Sequence, residues 1–134
     1  MRKVIAIAER ADDGFYSVYT AAEALPFGVT GEGETMAEAI TDFKNVYADM
    51  RNAYVAETGK ALDIEFEFQC DMRSLLQYYY SYMTLAGLQR LTGINQGQLS
   101  QYVNGTRNPS PRTTYKIETA LQQFGHELSQ VTFA

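Results

Sequence analysis

The residue types that build metal centres and many catalytic sites are nearly missing. The chain has one cysteine, Cys70, and one histidine, His126. A lone cysteine forms no internal disulfide, which points to a reducing compartment, the cytoplasm. Cys70 and His126 are far apart and match no usual zinc spacing. No apolar run approaches the ~18 residues that span a bilayer. At residues 1–8, MRKVIAIA has charge before a short apolar run, but a signal peptide needs a longer one and a cleavage site. No Walker loop, dinucleotide fingerprint or Ser/His/Asp order occurs. Internal repeats, low-complexity tracts and a Pro/Gly linker are also absent. Neither a catalytic residue nor a metal or cofactor is expected.

What is present is uneven. The 134 residues carry a formal net charge of −5. Residues 1–72 hold six Lys and Arg against fourteen Asp and Glu, a balance of −8. Residues 73–134 hold five against two, a balance of +3. Such asymmetry predicts two modules with different partners. The second can approach a polyanion, which would repel the first.

The first module, residues 1–71, reads as β-β-β-α-β. KVIAIAER is a strand, Asp13-Gly14 a hairpin-type turn, FYSVYT a second strand and FGVT a short third, with GEGE as a loop. Thr35 and Glu38 form a T-x-x-E capping box. Met36, Ile40, Phe43, Tyr47, Met50 and Tyr54 then form one apolar stripe on a helix of roughly twenty residues, stopped by Gly59. LDIEFEFQC alternates: Leu62, Ile64, Phe66, Phe68 and Cys70 on a dry face, Asp63, Glu65, Glu67 and Gln69 on a wet one. A two-metal nuclease site needs carboxylates clustered around ions ~4 Å apart. Here they alternate or sit in loops, as on a solvated face.

The second module, residues 72–134, reads as all-helical. Met72, Leu75, Leu76, Tyr79 and Met83 give the face of its first helix, and the tyrosines 78–80 point in different directions, as packing residues. Thr84 to Leu91 continues a helical pattern. Gly93 supplies a left-handed turn, Ile94 plugs the space between two helices, and Asn95 caps the next. In that helix Leu99, Tyr102 and Val103 face inward. Gln96, Gly97, Gln98, Ser100 and Gln101 face outward, and Asn104-Gly105 ends it. Glutamine amides can match adenine N6 and N7. Ser110 caps and Pro111 begins a further helix with Tyr115, Ile117, Ala120, Leu121 and Phe124 on its face. Gly125 breaks it, leaving a last short helix in HELSQVTF.

TGINQGQLSQYVNGTRNPSPRTTYKIETAL resembles the Cro/lambda-repressor-like (Xre-type) helix-turn-helix family, in Gly93-Ile94, Leu99-Ser100, Asn104-Gly105, Pro111, Ile117 and Ala120-Leu121. The resemblance covers roughly residues 75–125. It departs at Gln89, where the family has alanine at the helix contact. The β-β-β-α-β order, GFYSVY, the Gly-rich loop and the T-x-x-E-A helix start together resemble HicB-type antitoxins. That family's Pro-x-x-x-Gly-Cys run is replaced by ALPFGVTGEGET. The resemblance implies a truncated RNase H-like first domain that blocks a small RNA-cleaving toxin, HicA. It also implies a second domain that binds the operon's own operator.

The expected fold class is therefore α+β, a small sheet module followed by a helix-turn-helix. The expected protein is a non-enzymatic, cytoplasmic DNA-binding antitoxin and autorepressor, a homodimer or higher homo-oligomer on duplex operator DNA. The expected DNA-binding residues are Asn95, Gln96, Gly97, Gln98, Ser100, Gln101, Asn104, Thr106 and Arg107. Among them Gln96, Gly97, Ser100 and Gln101 lie near base edges, and Asn104, Thr106 and Arg107 near phosphates. The alternatives are a stand-alone regulator without a toxin partner and a protein-interaction module that does not bind DNA.

Overall fold

Alternation in RKVIAIAER and IEFEFQC builds a central and an edge strand of a four-stranded sheet. The computed structural model describes residues 1–134 and divides into two units, Met1–Asp71 and Met72–Ala134. In the first, β1 (Arg2–Arg10), β2 (Tyr16–Thr20), β3 (Thr30–Gly33) and β4 (Ile64–Cys70) lie in the order β3-β2-β1-β4. β1 runs antiparallel to β2 and parallel to β4. A parallel pair needs a long crossover, and α1 (Met36–Thr58) lies within it. The hairpin turn is as expected: Gly14 has φ 89°, and the Phe15 N–H donates to Asp13 Oδ1 at 2.9 Å.

The helix-facing row is Val4, Ala6 and Ala8 on β1 and Tyr16 and Val18 on β2, all buried. Against it lie Ala39 and Phe43 of α1, both fully buried. Phe43 meets Phe66 and Phe68 edge-on at 5.0 and 5.8 Å. The alternation of β4 is as expected. The stripe of α1 differs from the expected one: Met36, Ile40, Tyr47 and Tyr54 are partly buried beside Phe43, Ala39 joins them fully buried, and Met50 is 38% exposed.

The third strand lies elsewhere than expected: FGVT is mostly loop, and TGEG is the strand. Phe27 packs on Tyr47 and Tyr54 of α1, at 6.0 and 5.9 Å. Val29 is buried as well. Pairing starts at Thr30 because Gly31 and Gly33 are the residues that let α1 lie directly on β3. A β-carbon at Gly31 would stand 2.5 Å from the Phe43 amide nitrogen, and one at Gly33 2.7 Å from that of Ala39. Asp42 then accepts from the Glu32 N–H on this edge strand at 2.9 Å.

Thr35 caps α1, accepting from the Glu38 N–H at 3.1 Å. The reciprocal arm differs from the expected box, because Glu38 accepts from the Glu34 N–H instead. Gly59 ends α1 with φ 71°.

One buried group lacks a partner, the Tyr47 hydroxyl. An unpaired buried hydroxyl costs roughly 1–3 kcal/mol. Tyr47→Phe is therefore expected to raise stability by up to ~1 kcal/mol, measured as a higher urea midpoint at unchanged slope. A loss of stability would show that the hydroxyl is bonded in solution.

The second unit comprises α2 (Met72–Tyr80), α3 (Leu85–Thr92), α4 (Gln96–Asn104) and α5 (Pro111–Ser129). Its core is Leu76, Leu88, Ile94, Leu99, Tyr102 and Ile117. The helical pattern before Gly93 is interrupted. Ser81–Met83 form a turn, and Thr84 starts α3 by accepting from the Gly87 N–H at 3.0 Å. In the tyrosine run, Tyr78 and Tyr79 are half-buried and meet edge-on at 5.3 Å, whereas Tyr80 is exposed. Two expectations for α5 fail. Tyr115 is 70% exposed, because two residues before Ile117 is nearly the opposite side of a helix. Gly125 does not break α5, which runs on to Ser129. A helical glycine costs only ~1 kcal/mol against alanine.

Candidate nucleic-acid interface

The turn between α3 and α4 is built from local bonds. Gly93 adopts φ 74°, and its N–H donates to the Gln89 carbonyl at 2.7 Å. The Thr92 hydroxyl donates to the Leu88 carbonyl and accepts from the Ile94 N–H, at 2.7 and 3.1 Å. That turns Ile94 inward, where it is 8% exposed. Asn95 caps α4, its Oδ1 accepting from the Gly97 N–H at 2.7 Å.

Leu99 and Tyr102 anchor α4 in the core, with Val103 partly buried. At about 100° per residue, Gln96, Gly97, Ser100, Gln101 and Asn104 share one arc on the opposite side. All are exposed except Ser100, which is half-buried. Gln98 does not belong to this arc. Its amide donates to the Tyr102 hydroxyl at 3.0 Å, along the border of the buried face.

The loop after α4 is tied to the helix end. Gly105 has φ 76°, and the Gln101 carbonyl accepts from the Thr106 N–H at 3.0 Å and the Thr106 hydroxyl at 3.3 Å. Thr106 thus spends its hydroxyl proton on the loop itself, while Arg107 and Asn104 remain exposed. Ser110 caps α5, accepting from the Thr113 N–H at 3.2 Å.

Electrostatics favour an anion here. The only acids after residue 72 are Glu118 and Glu127, both on α5. Two cations have local employment at helix C-termini, where the dipole is negative. The Arg73 guanidinium lies so close to Gly105 that a β-carbon there would stand 2.9 Å from it. The Lys116 ammonium lies beside Gly93, 3.4 Å from such a carbon.

Three residues outside the expected set hold α4 in place. The Gln77 amide donates to the Val103 carbonyl at 2.9 Å, Arg73 covers the same end, and Gln89 Oε1 accepts from the Gln96 N–H at 2.9 Å. The only sequence signal was that Gln89 stands where alanine is usual. No helix of the chain is long and apolar enough to cross a membrane, and no group of three or more His, Cys, Asp or Glu could hold a metal ion. No curated protein and no solved structure matches the chain. Residues 81–123, spanning α3, α4 and most of α5, match the helix-turn-helix family model, of the Cro/C1 type, and the second unit therefore carries a helix-turn-helix.

Proposed function

We propose that the chain is a sequence-specific DNA-binding transcription regulator that reads the major groove with α4. The observation that carries this is the exposed arc of Gln96, Gly97, Ser100, Gln101 and Asn104, free of acids and opposite a fully buried Leu99. Gln96, Ser100 and Gln101 offer amides and a hydroxyl to base edges, and Gly97 lets the helix backbone come close. Asn104 and Arg107 reach phosphates from the helix end and loop. Asn95, Gln98 and Thr106 serve mainly to shape the helix and its exit. One such module buries little surface, so two copies on a two-fold site are expected.

Selection from a randomised duplex pool tests this reading and should enrich a two-fold symmetric motif. On that motif Gln96→Ala should cost ~1–3 kcal/mol, with little loss on random duplex. Arg107→Ala should weaken both duplexes by a similar factor and lower the salt slope by ~1 per module. An unenriched pool would refute specific binding. A loss confined to the motif in Arg107→Ala would move that residue among the base readers.

The first unit is read as a binding module. Its sheet face away from α1 presents Glu9, Glu32, Glu65 and Glu67 around Ile5, Ile7 and Tyr19, with Lys3 the one cation among its strand residues. Such a face suits a basic protein. Together with the β-β-β-α-β order, it supports the finer reading: a HicB-like, RNase H-like antitoxin domain that blocks a small basic RNA-cleaving toxin in the cytoplasm. A neighbouring gene for such a toxin, neutralised by this chain on co-expression, is the expected finding; a gene whose growth arrest the chain fails to relieve would leave the stand-alone regulator. Catalysis is not part of the proposal. Burial, with Asp71 and Glu9 nearby, pushes the Cys70 thiol up to about 12, so it carries almost no thiolate at neutral pH.

A further inference from the structure

We propose that Gln89 is a positioning residue that sets the specificity of α4. It closes the helix's first amide to DNA phosphate and fixes where Gln96 begins. This rests on the reading of α4 as the recognition helix.

Gln89 bonds to both sides of the turn. Its backbone carbonyl takes the Gly93 N–H that ends α3, and its side-chain carbonyl takes the Gln96 N–H that starts α4. The next amide, that of Gly97, is held by Asn95. Leu99 N–H enters the ordinary helical ladder on the Asn95 carbonyl. Two of the amides that a helix start leaves unpaired are thus occupied by neutral oxygens from this chain.

The chemistry of that closure bears on discrimination. Open amides at a helix start, with the partial positive charge there, attract phosphate whatever the base sequence. Phosphate contacts add affinity but carry no sequence information. With the first amides occupied, α4 meets DNA through its side chains, and those of Gln96, Ser100 and Gln101 depend on the base. Glutamine suits the task because it reaches from α3 to the start of α4 and accepts without carrying a negative charge towards DNA. Alanine at this position cannot reach.

The test uses the full chain with three variants. Gln89→Met keeps length but cannot accept a strong hydrogen bond. Gln89→Ala removes the side chain. Gln89→Glu keeps the acceptor and adds a charge. Hydrogen exchange of the Gln96 amide, followed by NMR without DNA, should be slow in the parent chain and in Gln89→Glu, and faster in the other two. Affinities for the selected duplex and a scrambled one should then separate the variants. In Gln89→Met and Gln89→Ala the selected-to-scrambled ratio should fall by between about two- and ten-fold, the scale of one lost hydrogen bond. Gln89→Glu should weaken both duplexes alike and keep the ratio, because it keeps the acceptor; a merely structural role predicts a kept ratio in Gln89→Met and Gln89→Ala as well. Equal Gln96 exchange in the parent and Gln89→Met would show that the bond is absent in solution and overturn the proposal. So would a lost bond with an unchanged ratio. A parent chain that discriminates between no duplexes sinks the reading of α4 and the proposal with it, and the exchange data tell this case from a failed bond.

Discussion

Gly31→Ala should unfold the first unit or cost it ~3 kcal/mol or more, at the upper end of what overpacking does. The reason is what the new methyl group would meet. A β-carbon at residue 31 falls on the Ala39 carbonyl oxygen and lies 2.5 Å from the Phe43 nitrogen and 2.6 Å from its β-carbon. Two of these three atoms are backbone of α1, and the third is fixed to it. No rotamer change can relieve the overlap, so α1 has to lift off β3. Phe43 would leave with it, opening its edge-on contacts to Phe66 and Phe68. Gly28→Ala is the control, because nothing lies within 4 Å of a β-carbon there. Urea unfolding of the full chain, followed by far-UV circular dichroism, compares the two. If Gly31→Ala unfolds within ~0.5 kcal/mol of the parent chain, α1 does not lie on β3 as described.

That glycine also explains where sequence reasoning misplaced a strand. Strand pattern favours FGVT, which is apolar and β-branched, over TGEG, which has little side chain to pack. The choice was made by a helix several residues later in the chain, for which only glycine leaves room. The capping and turn signals were legible because each acts within a few residues: Asp13-Gly14, Thr35, Gly59, Gly93, Asn95 and Ser110-Pro111 all do what their chemistry suggests. The break between α2 and α3 is also local, but Thr84 was outvoted by the apolar period running through it.

The candidate interface divides in the same way. Periodicity alone places Leu99 and Tyr102 inside and Gln96 and Gln101 outside. The period says nothing about partners from another helix. That Gln98 turns to Tyr102, or that Gln89 reaches the start of α4, depends on side-chain contacts and the angle at which helices cross. These bonds separate residues that shape α4 from residues whose side chains stay free on its exposed arc.

The sharpest consequence of that separation is a pair of variants two residues apart. Leu99→Ala should cost the second unit ~2–5 kcal/mol, the usual range for a buried leucine. Leu99 is fully buried among Leu76, Leu88, Ile94, Tyr102 and Ile117, so the cavity would open in the centre of the core. Domain stabilities are only ~5–15 kcal/mol, so much of the margin would go. Gln101→Ala should change stability by no more than ~0.5 kcal/mol, as surface substitutions do. Its side chain is exposed, and the bonds that close the helix end use its backbone carbonyl, which alanine keeps. On the selected duplex the order reverses. Gln101→Ala should lose ~1–3 kcal/mol of affinity at any temperature. Leu99→Ala should lose apparent affinity only in proportion to its unfolded fraction, so excess duplex should raise its unfolding temperature and restore binding on cooling towards its most stable temperature. Thermal unfolding with and without duplex, beside gel shifts at two temperatures, separates the cases. If Leu99→Ala stays fully folded yet cannot bind at the lower temperature, Leu99 does more than hold α4 in the core. If Gln101→Ala binds like the parent chain, the exposed arc is not the surface that reads DNA.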